Sequence, residues 1–231
     1  MQRKMRLFIG LWAALSIGNL ASCQSPEKGK TAIAKENTGS ATNIDKMRVE
    51  PEANEATAVF AGGCFWCTEA SFERIKGVTH VISGYAGGTE TNPTYKQVSN
   101  GLTSHAEAIK VFYDSTVINY PTLVDIFFHA HDPTQLNRQG PDVGKQYRSI
   151  AFYNNEDEKN LIDKAIKNLQ PQFEKPIVTQ VELLAKFYPA EEYHQDYYEL
   201  HPENPYIQSV SRPKVEKVEK KYKDLLKERY K

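Results

Sequence analysis

Cysteine is scarce in this chain: three among 231 residues, at positions 23, 64 and 67. None follows Cys67, so no second pair of thiols is left to complete a zinc site with Cys64 and Cys67. An excess of charge is also lacking. Lys+Arg and Asp+Glu are both 29, and this balance gives no electrostatic reason to bind nucleic acid. The apolar run over residues 7–20 is broken by Ser16, Gly18 and Asn19, and it is short for a membrane span. No internal repeat is visible. What remains is 40% hydrophobic and 25% charged, an ordinary globular composition that suits one domain with appendages and a sizeable core.

Arg3, Lys4 and Arg6 precede the apolar run, which therefore reads as the core of a signal peptide. It ends in Leu20-Ala21-Ser22-Cys23, small residues before a Cys, and this resembles a bacterial lipoprotein cleavage site. The expectation is a signal peptide over 1–22, with Cys23 becoming the lipidated first residue. Plain secretion with an incidental Cys23 is the alternative. Residues 24–55 are mostly Lys, Glu, Thr, Ser, Ala and Asn and cannot bury enough surface to fold alone. The segment 23–55 thus reads as an anchor and flexible tether with a reach of about 30 Å. The body is expected outside the cytoplasm, membrane-anchored, in an oxidising compartment.

The body alternates strands and helices. Ala58-Val59-Phe60-Ala61 predicts a buried strand ending at Gly62-Gly63, and a helix over 64–76 stops at Gly77. Strands are predicted over 78–85, 106–113, 150–153 and 178–184. Helices are predicted over 123–130, 155–169 and 191–200. This order predicts an α/β or α+β sandwich. The domain is placed at 56–210 and a charged C-terminal helix at 211–231. From Lys214 on, the tail carries Val215, Val218, Tyr222 and Leu225 at helical spacing, with eight Lys/Arg against four Asp/Glu. It reads as an amphipathic helix packed on the body, with a membrane-surface role as the alternative.

Cys64 and Cys67 form a C-x-x-C at a helix start after a Gly-Gly turn. A structural disulfide there would close so short a loop that it stabilises by only about 2 kcal/mol. Metal binding needs further ligands, and His129-Ala130-His131 is the only near-pair of histidines. Redox or nucleophilic chemistry is the third reading. Cys64 would sit where free amides and the helix dipole favour a thiolate, with Cys67 on the same helix face.

Gly62-Gly63-Cys64-Phe65-Trp66-Cys67 resembles the motif of A-type peptide methionine sulfoxide reductases. Further runs resemble that family in the same order: Gly84-Tyr85-Ala86-Gly87-Gly88, Asn92-Pro93-Thr94-Tyr95, His105-Ala106-Glu107, His131-Asp132-Pro133-Thr134, Asp142 to Ser149, and Phe187 to Gln195. Together they span roughly 56 to 205. The resemblance implies a mixed sheet packed by helices, ferredoxin-like. It implies reduction of the S epimer of methionine sulfoxide, free or in oxidised proteins, without metal or organic cofactor, by a monomer. Two departures stand out. Cys67 occupies a position where many members have Gly, and recycling through a distant thiol is excluded. Ser104 stands where Gly often precedes the His, with little consequence expected.

The family's roles carry over as follows. Cys64 matches the nucleophile and Glu107 the general acid, which must be held protonated by burial. Tyr95 and Tyr147 match tyrosines that bind the sulfoxide oxygen, and Asp142 an Asp that orients a water. Phe65 and Trp66 match the wall around the substrate methyl. Glu191 and His194 read as structural support. Cys67 would condense with oxidised Cys64 to a disulfide, which a thioredoxin-like dithiol reduces. A thioredoxin-like oxidoreductase is the rival enzyme class, but it would not explain Tyr95, Glu107 and Tyr147. A lipoprotein binding module using the aromatics is the rival outside enzymes.

Overall fold

The computed structural model describes residues 48–231. The expected signal peptide, Cys23 and the tether as far as residue 47 lie outside the described residues. The chain runs β1 (Glu55–Gly62), α1 (Phe65–Glu73), β2 (Val78–Ala86), α2 (Tyr95–Ser99), β3 (Ala106–Asp114), α3 (Tyr120–Ala130), β4 (Arg138–Gln139) and β5 (Asp142–Val143). It continues with β6 (Ser149–Tyr153), α4 (Glu156–Leu169), β7 (Gln180–Leu183), β8 (Phe187–Pro189), α5 (Tyr197–Leu200) and α6 (Arg212–Lys221).

Six strands form one sheet in the order β7-β6-β1-β3-β2-β8. The β6–β7 pair is parallel and every other pair is antiparallel, so the sheet is mixed as expected. Within it, β1-α1-β2-β3-α3-β6 with strand order β6-β1-β3-β2 is the split βαβ arrangement of ferredoxin-like folds.

Both faces of the centre are buried, which is why β1 reads as a continuous apolar run rather than an alternating one. Ala58 and Phe60 join one cluster, and Val59 and Ala61 join the cluster on the other face. The Phe60 ring stacks on Phe127 at 4.8 Å and on Phe72 at 5.6 Å, so α3 and α1 share a face of the sheet. Burying one such ring contributes about 2–3 kcal/mol. Helix α4 starts after Asn155, whose side chain accepts the Glu158 N–H, a cap worth about 1 kcal/mol. Its acidic first turn, Glu156 to Glu158, suits the positive end of the helix.

The structure differs from the expected elements in one helix and in the length of the tail helix, and contacts to the body extend ahead of residue 56. Arg48 pairs with Glu55 at 2.6 Å and lies over the Phe112 ring, while Lys110 donates to the Val49 carbonyl. The Arg48 guanidinium holds the Glu55 carboxyl down at about 2. The expected helix over 191–200 is broken into a single turn, Glu192–His194, and the short α5. Between them the Gln195 side chain bonds the Ser83 amide, the Ser83 carbonyl and the Ala190 carbonyl, and Asp196 is left-handed at φ 54°. The tail is helical only through Lys221, then turns in short 3-10 segments. Val215 and Val218 are fully buried and Tyr222 nearly so. Arg74 ties α1 to this tail through Glu219 at 2.6 Å and to α5 through Glu199 at 2.7 Å. Its apolar stripe is therefore occupied by the body.

Candidate functional site

The antiparallel register of β1 and β3 runs to Phe60↔Ile109, so the end of β1 and the start of β3 lie side by side. That places Cys64, just after β1, beside Glu107, near the start of β3. The turn between β1 and α1 needs Gly63. Its φ is +93°, and a Cβ there would meet the Gln139 side chain at 2.6 Å.

A cavity of about 290 Å³ opens at this point, lined by Cys64, Phe65, Trp66, Tyr95, Glu107, Asp142, Tyr147, Asn204 and Tyr206. All the substrate-site residues expected from the sequence line this one pocket. Its size suits a small side chain rather than a large cofactor. Cys67 sits behind it, 2% exposed. Among the described residues no group of three or more His, Cys, Asp or Glu is placed to hold a metal ion.

Glu107 is 2% exposed and accepts the Phe65 N–H at 3.1 Å. That hydrogen bond favours the carboxylate, but desolvation outweighs it and Asp142 adds repulsion. The carboxyl is pushed up to about 8 and is mostly neutral at pH 7.

Cys64 departs from its expected electrostatics. It caps α1, yet the first amide of that helix, Phe65 N–H, is taken by Glu107. Burial pushes the Cys64 thiol well up, and Cys67 and Glu107 add to this. Cys67 moves the other way, to about 7, foremost through its hydrogen bond with Cys64. The two sulfurs titrate as a pair, and the first proton leaves the dithiol near neutrality.

The aromatic wall is braced from behind. Trp66 stacks on Tyr197 at 3.9 Å and donates its ring N–H to His194 Nδ1 at 3.3 Å. Burial holds His194 down at about 4, so the ring is neutral and can accept that bond. Glu191 accepts the Tyr95 amide at 2.9 Å and the Tyr85 hydroxyl at 2.8 Å, which fixes the start of α2. Both residues support the pocket without lining it.

Sequence reasoning missed Asn204 and Tyr206. The Tyr206 hydroxyl donates to Asp142 Oδ2 at 2.6 Å and also reaches the Cys64 sulfur. With one proton and two acceptors in reach, it links the two residues. No periodicity marked it. The run Asn204-Pro205-Tyr206 is the one local signal, a polar turn before the tail.

A family model described as peptide methionine sulfoxide reductase matches residues 56–226. That span takes in α6 as well as the pocket. The peptide methionine sulfoxide reductase MsrA of Pasteurella multocida is 53% identical over 170 residues, 74% of this chain and 98% of that protein. The Thermus thermophilus MsrA is 48% identical over 172 residues, again 74% and 98%. Among solved structures, Mxr1 from Saccharomyces cerevisiae in its reduced form is similar with a TM-score of 0.62 and 37% identity, covering 67% of this chain and 91% of that one. Methionine sulfoxide reductase A of Corynebacterium diphtheriae gives 0.60 and 32%, covering 65% and 77%.

Proposed function

Because the chain belongs to the peptide methionine sulfoxide reductase family, we propose that it reduces the S epimer of methionine sulfoxide, free or in oxidised proteins, to methionine. One observation carries the reading. A carboxyl held neutral up to about pH 8 shares a small apolar-walled pocket with a buried cysteine. That pair supplies what a sulfoxide needs, a sulfur nucleophile and a proton for the departing oxygen.

The reaction is read as follows. The Cys64 thiolate attacks the substrate sulfur while Glu107 gives its proton to the oxygen. The protonated oxygen then passes to the Cys64 sulfur: a Cys64 S–O bond forms, the substrate sulfur loses its bonds to oxygen and to Cys64, and methionine leaves with Cys64 as a sulfenic acid. Tyr95 and Tyr147 hold the oxygen. Phe65 and Trp66 enclose the methyl group, and Asp142 orients a water. Cys67 then displaces the oxygen to give a Cys64–Cys67 disulfide. A thioredoxin-like dithiol takes up the oxidation by exchange. Cys64 lines the pocket and Cys67 does not, so the reductant is expected to enter at Cys64.

Turnover of the two resolved epimers with dithiothreitol tests this. The S epimer should be consumed and the R epimer left essentially untouched. Equal rates on both would overturn the epimer assignment.

We also propose that the protein is a lipoprotein of the bacterial cell envelope, anchored through Cys23. The support is the Leu20-Ala21-Ser22-Cys23 run behind a basic, apolar start. Mass spectrometry of the native N-terminus should find cleavage before Cys23 and an added diacylglycerol. An intact Met1 would end that assignment.

A further inference from the structure

Behind the pocket lie two residues that the reaction above does not use. Ser211 is fully buried, and its Oγ is 3.2 Å from Cys67 Sγ. Lys214 lies three residues on, on the same side of the chain as α6 begins. Its Nζ is buried and has no hydrogen-bond partner. Lysine stems usually carry their charge out to water, and this one does not. A buried ammonium without a partner is costly, so an anion is expected nearby.

The charge of Lys214 is felt at Cys67 and at His131. His131 offers no anion. Its ring bonds the Phe127 carbonyl and the Ser149 hydroxyl, and burial holds it down at about 4. The Cys67 sulfur is the group that gains from the cation.

We propose that Lys214 is a positioning residue for recycling: with Ser211 it holds the Cys67 sulfur as the thiolate that attacks oxidised Cys64. This rests on the proposed function. The Cys67 thiolate gives an electron pair to the Cys64 sulfenic sulfur and an S–S bond forms. The S–O bond breaks, and hydroxide leaves and takes a proton from solvent to become water. Cys67 is oxidised by one unit and Cys64 reduced by one. An aromatic pocket and a C-x-x-C alone would leave no fixed charge to favour loss of the Cys67 proton. The tail helix supplies the missing charge.

The support Cys67 has at rest explains why a fixed cation is needed. Cys64 gives the largest help, through a thiol hydrogen bond. Once Cys64 is oxidised, that thiol is gone. Lys214 and Ser211 remain on the favourable side, and Asp142 opposes them. The titratable groups facing Cys67 are Cys64 from the α1 cap, Glu107 from β3, Asp142 from β5, and Tyr206 and Lys214 from the C-terminal segment.

The test uses the full chain, reduced and freed of excess thiol, mixed with one equivalent of the S epimer. Released methionine reports the first step, and loss of free thiol reports the second, across pH 5.5–9. In Lys214→Met the second step should be about tenfold slower at pH 6.5, its midpoint moving up by about one pH unit. Lys214→Arg should restore most of the rate. An unchanged midpoint in Lys214→Met overturns the proposal, and so does an equal shift in Lys214→Arg, which would point to lost packing rather than charge. If Lys214→Met does not fold, as judged by circular dichroism, Lys214→Gln takes its place under the same criteria. A wild type that releases no methionine overturns the reading beneath the proposal and is told apart by the first readout.

Discussion

Glu107→Gln is expected to slow methionine release in a single turnover by a factor of about 10² to 10⁴, the usual worth of general acid catalysis. The expected loss is this large because the buried Glu107 carboxyl is raised to about 8 and so carries a proton into the pocket at neutral pH. Tyr95, Tyr147 and Tyr206 are all pushed above the ordinary tyrosine range by burial, so each is a weak proton source. Gln keeps the shape and can still accept the Phe65 amide, so the fold around β3 should hold. Substrate affinity should change little.

The pH profile sharpens the test. The Glu107 carboxyl is raised to about 8, so it is protonated below that pH and ionised above it. Catalysis that depends on its proton is therefore present below about 8 and lost as pH rises through it. The wild-type rate should fall on the alkaline side near 8, and the Gln variant should lack that fall. A variant within threefold of wild type, or one that keeps the alkaline limb, would remove Glu107 from the acid role.

How far the sequence carried this site depends on which contacts are local. The strand over 58–61 and the turn at Gly62-Gly63 are local and showed in the apolar run and its stop. The cysteine pair showed in its spacing. Glu107 showed only through family resemblance, because 42 residues separate it from the amide it accepts. Its neutrality depends on burial that no pattern of residues displays. The same limit misled the reading of Cys64. A helix start suggests a stabilised thiolate, but the carboxyl that consumes the first amide comes from another strand. Tyr206 is further still, 64 residues from the Asp142 that it bonds. The broken helix over 191–200 failed for a related reason. Its residues have helical spacing, yet Gln195 spends its side chain on the Ser83 backbone, 112 residues away, and the chain bends to let it. The tail helix was legible as a helix, and its buried stripe was legible too. That its first turn reaches Cys67 was not.

Cys67→Ser should release about one methionine per enzyme at near-normal rate and then stall with thioredoxin as reductant. Attack and oxygen loss need only the Cys64 thiolate and the Glu107 proton, so the first turnover does not use Cys67. Clearing the sulfenic acid does. Cys67 lies in the same helix turn, hydrogen-bonded to Cys64 and to Ser211, and no other cysteine is among the described residues. A serine there keeps the volume nearly and can bond Ser211, but it cannot form a disulfide. Cys64→Ser should release no methionine at all, which separates the two sulfurs by step. Small thiols should partly rescue the Cys67 variant, since they can attack the sulfenic sulfur through the pocket mouth. Full steady-state turnover of Cys67→Ser with thioredoxin would contradict the assignment. It would mean that thioredoxin attacks the sulfenic acid directly or that Cys23 reaches the site. Repeating the assay in a Cys23→Ser background decides between those two, because only the second route loses its thiol.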